Sequence, residues 1–145
     1  MAVIALKLAL ALFLAVSALA VDPREEITGE LAGIASDFSS SNADGIIKRM
    51  ASTMPGRGAL EENLRDMLQV AQVATTIEVR EWTAAGARTI VILDWFLEMR
   101  RAGDGSVLAT QRRRQLVRAE WEKQGKRWKI VALKPLEFFA PPASQ

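Results

Sequence analysis

The stretch LVRAEWEKQGKRWKIVALKP, from Leu116 to Pro135, decides how this chain is read. Val117, Ala119 and Trp121 alternate with Leu116 and Arg118, a period of two that belongs to a half-buried strand. Gln124-Gly125-Lys126 supplies a turn, and Arg127-Trp128-Lys129-Ile130-Val131 resumes strand-forming residues on the far side. A terminal hairpin of this kind has to pair with something upstream.

Working outward, the same period runs back to Thr75. TTIEVREWT (75–83) alternates, AAGA (84–87) turns, and RTIVILDWFLEMRR (88–101) makes a long strand. AGDG (102–105) turns again into SVLATQRRRQLVRAEWEK (106–123), and RWKIVALKPLEFF (127–139) follows the QGK turn. Four antiparallel strands in a meander are expected. Upstream, the period is helical. Asp22 is a good N-cap, Pro23 suits the first helical position, and Glu25 stands three residues after the cap. Ile27, Leu31, Ile34, Ala35 and Phe38 then form one apolar stripe. After SSSNAD a short second helix is expected over 44–54, and after Pro55-Gly56-Arg57-Gly58 a third over 59–73, with Leu60, Leu64, Met67, Leu68 and Ala71 on one side. The class is α+β: three helices packed on a curved four-stranded antiparallel sheet.

The ends carry separate instructions. MAVIALKLALALFLAVSALA has one cation, Lys7, then an apolar run, then small residues ending Ala18-Leu19-Ala20. That is the order of a secretory signal peptide cleaved after Ala20. Only 14 residues from Leu8 to Val21 lack charge, against the roughly 20 a spanning helix needs. An exported, periplasmic or extracellular domain over residues 21–139 is therefore expected, with no stable membrane span after cleavage and a flexible tail over 140–145. Removing Lys7 from the 19 basic residues leaves 18 against 17 acidic ones. A nearly balanced chain gives no footprint for nucleic acid.

His, Cys and Tyr are absent. Ser-His-Asp and Cys-His nucleophile systems, His- or Cys-based zinc sites and thiol redox chemistry are excluded. No metal site and no cofactor is expected, and acid–base chemistry would fall to Asp, Glu or Lys.

The helix break SSSNADGIIKRMA, the helix entry PGRGALEENLRDML and above all the hairpin with Trp121, Gly125 and Trp128 resemble the nuclear transport factor 2-like superfamily. Its members include ketosteroid isomerases and polyketide-cyclase-type enzymes. The resemblance implies helices over a curved sheet, a cone whose mouth holds a small apolar ligand in many members, and dimers through the open sheet face in many others. One departure stands out: where most members carry a strand hairpin between the second and third helices, only STMPGRG is available here. The resemblance also implies a tyrosine or histidine at the reacting centre, and this chain has neither.

Three consecutive arginines, Arg112, Arg113 and Arg114, fall on alternating faces. Arg112, Arg114, Leu116 and Arg118 share the outer face, while Gln111, Arg113, Gln115, Val117, Ala119 and Trp121 share the inner one. A hairpin centred on Gly103-Asp104-Gly105 sets Asp94 beside Arg114 and Glu98 near Thr110, diagonal to Arg112. A one-residue slip sets Asp94 opposite Arg113 instead. Arg113, among apolar neighbours, has two readings: it snorkels past the helix edge or bonds helix C-terminal carbonyls, or it anchors an anionic or carbonyl-bearing ligand. Under the second, Trp95, Gln111, Arg113, Gln115 and Trp121 contact a small apolar or amphipathic ligand, and Gln111 or Gln115 partners a buried indole. Asp94, the lone acid in IVILDWFL, is either a cross-strand ion pair or, with Arg113, the general base of an isomerase or lyase acting on a carbonyl compound. Ile90, Ile92 and Phe96 on the arginine-bearing face give a third reading, a homodimer or interaction module.

Overall fold

The computed structural model describes residues 22–102 and 108–143. The expected signal segment, the centre of the AGDG turn and the last two residues lie outside them. Helix α1 (Pro23–Ser39) starts where the sequence says it should: the Asp22 side chain accepts from the backbone N–H of Arg24, with Pro23 in the first turn. Ile27, Leu31, Ile34 and Phe38 form its buried stripe. Helix α2 (Ala43–Ile47) is capped by Asn42 and is shorter than expected, a single turn and a little more. Helix α3 (Arg57–Val70) buries Leu60, Leu64 and Met67.

The sheet is a four-stranded antiparallel meander in the order β1-β2-β3-β4: β1 (Ala71–Ala85), β2 (Arg88–Ala102), β3 (Leu108–Gln124) and β4 (Arg127–Lys134). The helices cover one face, and the other lies open among the described residues. This is the α+β architecture expected, with two boundary corrections. Ala71 to Val73, read as the end of the third helix, opens β1, and both Ala71 and Val73 are buried against the core. LEFF, read as strand, is a 3-10 helix over Leu136–Phe139, because Pro135 brings no N–H to continue the ladder. Between α2 and α3 the chain makes one parallel bridge, Met50 with Ile130, closed by Ala51 N–H to the Ile130 carbonyl at 2.8 Å.

Register decides which residues meet. Ala102 pairs with Leu108, so the β2–β3 hairpin centres on Gly105. Asp94 therefore stands opposite Leu116 and Glu98 opposite Arg112, two residues from the pairing that a centre on Asp104 gives. An even shift keeps every side chain on its face, so the face assignments hold while the contacts change. A β-bulge between Val79 and Glu81 leaves Arg80 without a ladder partner on β2.

Candidate functional site

Two surfaces compete for the role of functional site, one on each side of β2 and β3. On the inner side, Leu93, Trp95 and Leu97 of β2 alternate with Val117, Ala119 and Trp121 of β3, all buried beneath the helices. Trp95 is 1% exposed and Trp121 0%. Phe38 meets Trp95 edge-on at 6.2 Å between centroids, and Phe139 does so at 4.9 Å. Phe138 completes the cluster, 6.4 Å from Trp95 and 5.1 Å from Phe139. Edge-on pairs of this kind add about 0.5–1.5 kcal/mol each to the burial itself. The Trp95 indole N–H donates to Thr75 Oγ1 at 2.8 Å, which in turn donates to the Phe96 carbonyl. The Trp128 indole donates to Glu26 at 3.1 Å. The Trp121 indole N–H is buried without an acceptor among the described residues. Neither Gln111 nor Gln115 partners an indole, contrary to expectation; Gln111 is half-buried and Gln115 exposed.

Arg113 faces inward, as the alternation requires. Its guanidinium donates to the carbonyls of Phe138 at 3.0 Å, Pro141 at 3.1 Å and Ala140. Of the two readings of Arg113, the geometry here is that of carbonyls at a helix end: the 3-10 helix and the residues after it. The stretch from Ala140, expected to fray, is thus tied down at Ala140 and Pro141. Trp95, Gln111, Arg113, Gln115 and Trp121 do not share one open cleft, because the tryptophans are core and Arg113 is roofed by Phe138 to Pro141.

The outer side is built from charge and exposed apolar surface. Asp94, 9% exposed, accepts from Arg114 Nε at 3.0 Å and Nη2 at 2.7 Å, and from Arg80 Nη2 at 2.7 Å. The bulge frees Arg80 from the ladder and lets it reach this carboxylate. The Arg114 guanidinium first, then Arg80, hold the Asp94 carboxyl far below the ordinary carboxylate range. Glu98 is lowered too, first by Arg112 and then by Arg100. Arg118 and Arg88 share Glu120. Between these pairs lie Ile90, Ile92 and Phe96, half-buried, and Leu116, 59% exposed. A hollow of about 250 Å³ is lined by Thr76, Glu78, Asp94, Phe96 and Arg114, and Leu116 is the cross-strand partner of Asp94.

The general-base reading needed Asp94 and Arg113 in one cavity. They lie on opposite faces of the sheet, and two guanidinium groups hold Asp94 ionised. The pairing corrects that reading: Asp94 is a cross-strand ion-pair centre. Among the described residues no group of three or more His, Cys, Asp or Glu is placed to hold a metal ion, and no helix is long and apolar enough to cross a membrane.

Four contributing residues were not legible as such in the sequence. Arg80 carried a usable sign, since Arg80-Glu81 puts two charges in succession where strict alternation forbids it. Phe138 and Phe139 carry no sign of the 3-10 helix they form, because an aromatic pair fits a strand equally well. Arg49, which bonds Glu30 at 2.9 Å, Asp37, and the Gly45 carbonyl at 2.9 Å, announced itself through Gly33 and Gly45, both inside helices. A Cβ at Gly33 would run into the Arg49 guanidinium, and one at Gly45 into the Asp37 carboxylate. Glycine within a helix commonly marks such a close approach.

Helices over one face of a four-stranded antiparallel meander, with the opposite face open among the described residues, define an α+β fold. No family model matches the chain, and no curated protein does. Solved structures do. A conserved protein from Planctomyces limnophilus shares 8% identity over 76% of this chain and 91% of its own, with a TM-score of 0.66. A nuclear transport factor 2-like superfamily protein from Salmonella enterica gives 15%, 83%, 92% and 0.58. A protein from Novosphingobium aromaticivorans, provisionally named a scytalone dehydratase, gives 10%, 76%, 80% and 0.63. At these identities the likeness is one of fold. The chain has the nuclear transport factor 2-like fold.

Proposed function

We propose that this chain is an exported, non-catalytic module that pairs with a second copy of itself through the outer sheet face. The observation that carries the reading is Leu116, exposed in mid-strand on the face that carries the hollow. A two-fold axis through the face would seat the Leu116 of each copy in the hollow of the other, the self-complementary arrangement of an isologous contact. Charge supports a second copy over another partner. The face bears both signs in clusters, Asp94 and Glu78 with Arg80 and Arg114, Glu98 with Arg100 and Arg112, and Glu120 with Arg88 and Arg118, four carboxylates among six arginines. Each of these charges has its partner within its own copy, so a second copy need supply none, and the interspersed signs offer no one-signed field to a foreign partner. Four strands about 4.8 Å apart and about 3.3 Å per residue give ten residues of sheet roughly 600 Å² of face, close to the roughly 800 Å² per partner of a standard interface.

The test is sedimentation equilibrium of the chain from residue 21, at about 50 µM, where a dimer of micromolar Kd is well populated. Leu116→Lys, which leaves the inner core untouched, is expected to raise Kd roughly 100-fold by placing an unpaired charge in the contact. A monomeric wild type, or a dimer indifferent to Leu116→Lys, would overturn the proposal. Export is read separately, from the N-terminus of the protein recovered outside the cytoplasm: Val21 is expected there, and Met1 would sink it.

A further inference from the structure

The inner face holds a cation, Arg113, that has no carboxylate partner among the described residues. Arg113 is half-buried, and every hydrogen bond of its guanidinium goes to a neutral carbonyl, of Phe138, Ala140 or Pro141. No carboxylate comes within ion-pair distance of it among the described residues. Burial alone acts on its pKa, and acts downward. On the outer face the chain behaves differently: Arg80, Arg112, Arg114 and Arg118 each have a carboxylate partner. A half-buried cation bonded only to neutral carbonyls makes a stronger bond when a carboxylate takes their place.

The segment that meets Arg113 is itself held in an unusual way. From Leu136 to Ala143 it makes no ladder hydrogen bond to any strand among the described residues. Its backbone contact is internal, Ala140 N–H to the Glu137 carbonyl at 3.1 Å. It is fastened by side chains instead. Leu136 lies against Gly56, where an added Cβ would collide with it, and Gly56 has a φ of 76°. Phe138 and Phe139 stand edge-on to Trp95, and Arg113 and Arg101 donate to carbonyls along the segment. It presents aromatic rings to Trp95 and oxygen acceptors to Arg113, the two things an aromatic acid would present. Phe138 and Phe139 are buried with the core, so the segment is held by two rings, Leu136 and two guanidinium groups, and by no ladder hydrogen bond that a ligand making the same contacts would have to replace.

We propose that Leu136 to Ala143 is a displaceable strap occupying a binding site in cis, and that the site beneath takes an aromatic carboxylate, its ring on Trp95 and its carboxylate on Arg113. The incoming carboxylate supplies the counter-charge the strap's carbonyls cannot, in a charge-assisted bidentate bond. This site is on the opposite face of the sheet from the pairing surface and does not depend on it.

The experiment is an NMR titration of the isotope-labelled chain from residue 21 with naphthoate, and in parallel with naphthamide, the same shape without the charge. Naphthoate is expected to shift the Trp95 indole N–H and the Arg113 Nε–H and, in the same titration, to expose the Phe139 and Ala140 amides to hydrogen exchange. Naphthamide is expected to bind roughly 10-fold more weakly, the worth of a charge-assisted hydrogen bond over a neutral one. Absence of shifts at Trp95 and Arg113, binding with the strap amides still protected, or equal binding by the amide would each overturn the proposal. Phe139→Ala, by weakening the competing strap, is expected to bind naphthoate roughly 10-fold more tightly than wild type, and equal affinities would remove the strap from the account. Should that variant fail to fold, the wild-type titration decides alone.

Discussion

Asp94 shows how one residue's chemistry is set by the face it lands on. In the middle of IVILDWFL it is surrounded in sequence by apolar residues, the setting in which a carboxyl pKa rises. In the structure it turns outward, between a bidentate Arg114 and a bulge-freed Arg80, and its pKa falls. The consequence for stability follows from the sign. An Asp whose folded pKa lies below its unfolded value of about 3.9 contributes stability that is fully present above that value and is lost as pH falls toward the folded pKa. Glu98, lowered by Arg112 and Arg100, acts in the same direction. The wild-type chain is thus expected to lose stability steadily from about pH 5 down to about pH 2. Asp94→Asn is expected to be the less stable protein at pH 7, with a shallower acid-side decline, so that the two urea midpoints converge at low pH. Parallel declines for the two proteins would show that the Asp94 pairs contribute nothing to folding. The same fact separates Asp94 from base catalysis: a carboxylate held ionised by two guanidinium groups is a poor proton acceptor.

At the scale of the element, α1 carries two glycines that look equivalent in sequence and differ in the fold. Gly29 has nothing within 4 Å of where a Cβ would stand, whereas a Cβ at Gly33 would displace the Arg49 guanidinium that ties α1 to α2. Alanine in a helix interior is favoured over glycine by about 0.8–1 kcal/mol. Gly29→Ala is accordingly expected to stabilise the protein by about that amount. Gly33→Ala gains the same propensity but forces Arg49 off Glu30, Asp37 and the Gly45 carbonyl, so it is expected to fall about 1–2 kcal/mol below Gly29→Ala. Thermal or urea unfolding of both variants is the check, and equal stabilities would show that Arg49 relocates at no cost. This asymmetry marks the boundary of what was legible. Element type came from periodicity and caps: Asp22-Pro23 opens α1, and the change to a period of two announces the sheet. What periodicity could not give was any quantity fixed by contact. Ala71 and Val73 fit the end of a helical stripe and the start of an alternating strand equally well, and burial against the core decided for the strand. Faces were legible on β3 because a two-residue error in register preserves them, but the partners of Asp94 and Glu98 depended on whether Asp104 or Gly105 centres the hairpin. Phe138 and Phe139 were recognisable as apolar and not as the roof over Arg113, since that contact joins positions 25 or more residues apart.

At the scale of the molecule, one pair of adjacent strands serves two proposed surfaces. Leu93, Trp95 and Leu97 of β2 with Arg113 and Val117 of β3 face the helices and the strap. Ile92, Asp94 and Phe96 with Arg114 and Leu116 face outward. Every second residue belongs to the other surface, so a change on one side need not alter side chains on the other, provided the backbone of β2 and β3 stays put. Their paired length argues that it does: fifteen consecutive partners, Arg88 with Glu122 through Ala102 with Leu108, run without a bulge, whereas each of the other two strand pairs contains one. The two surfaces are therefore expected to be energetically independent. Phe139→Ala is expected to cost about 3 kcal/mol of stability as a buried ring is lost, a tolerable loss for a domain with about 5–15 kcal/mol in hand. It should leave the self-association constant where it was. Leu116→Lys should change self-association and leave the exchange rates of the strap amides unaltered. Combined, the two substitutions are expected to add to within about 0.5 kcal/mol in a double-mutant cycle run below the dimer Kd, so that association does not enter the stability. A larger coupling would mean that β2 and β3 shift as a unit when the strap loosens, and the inner site would then control the pairing face through the sheet they share.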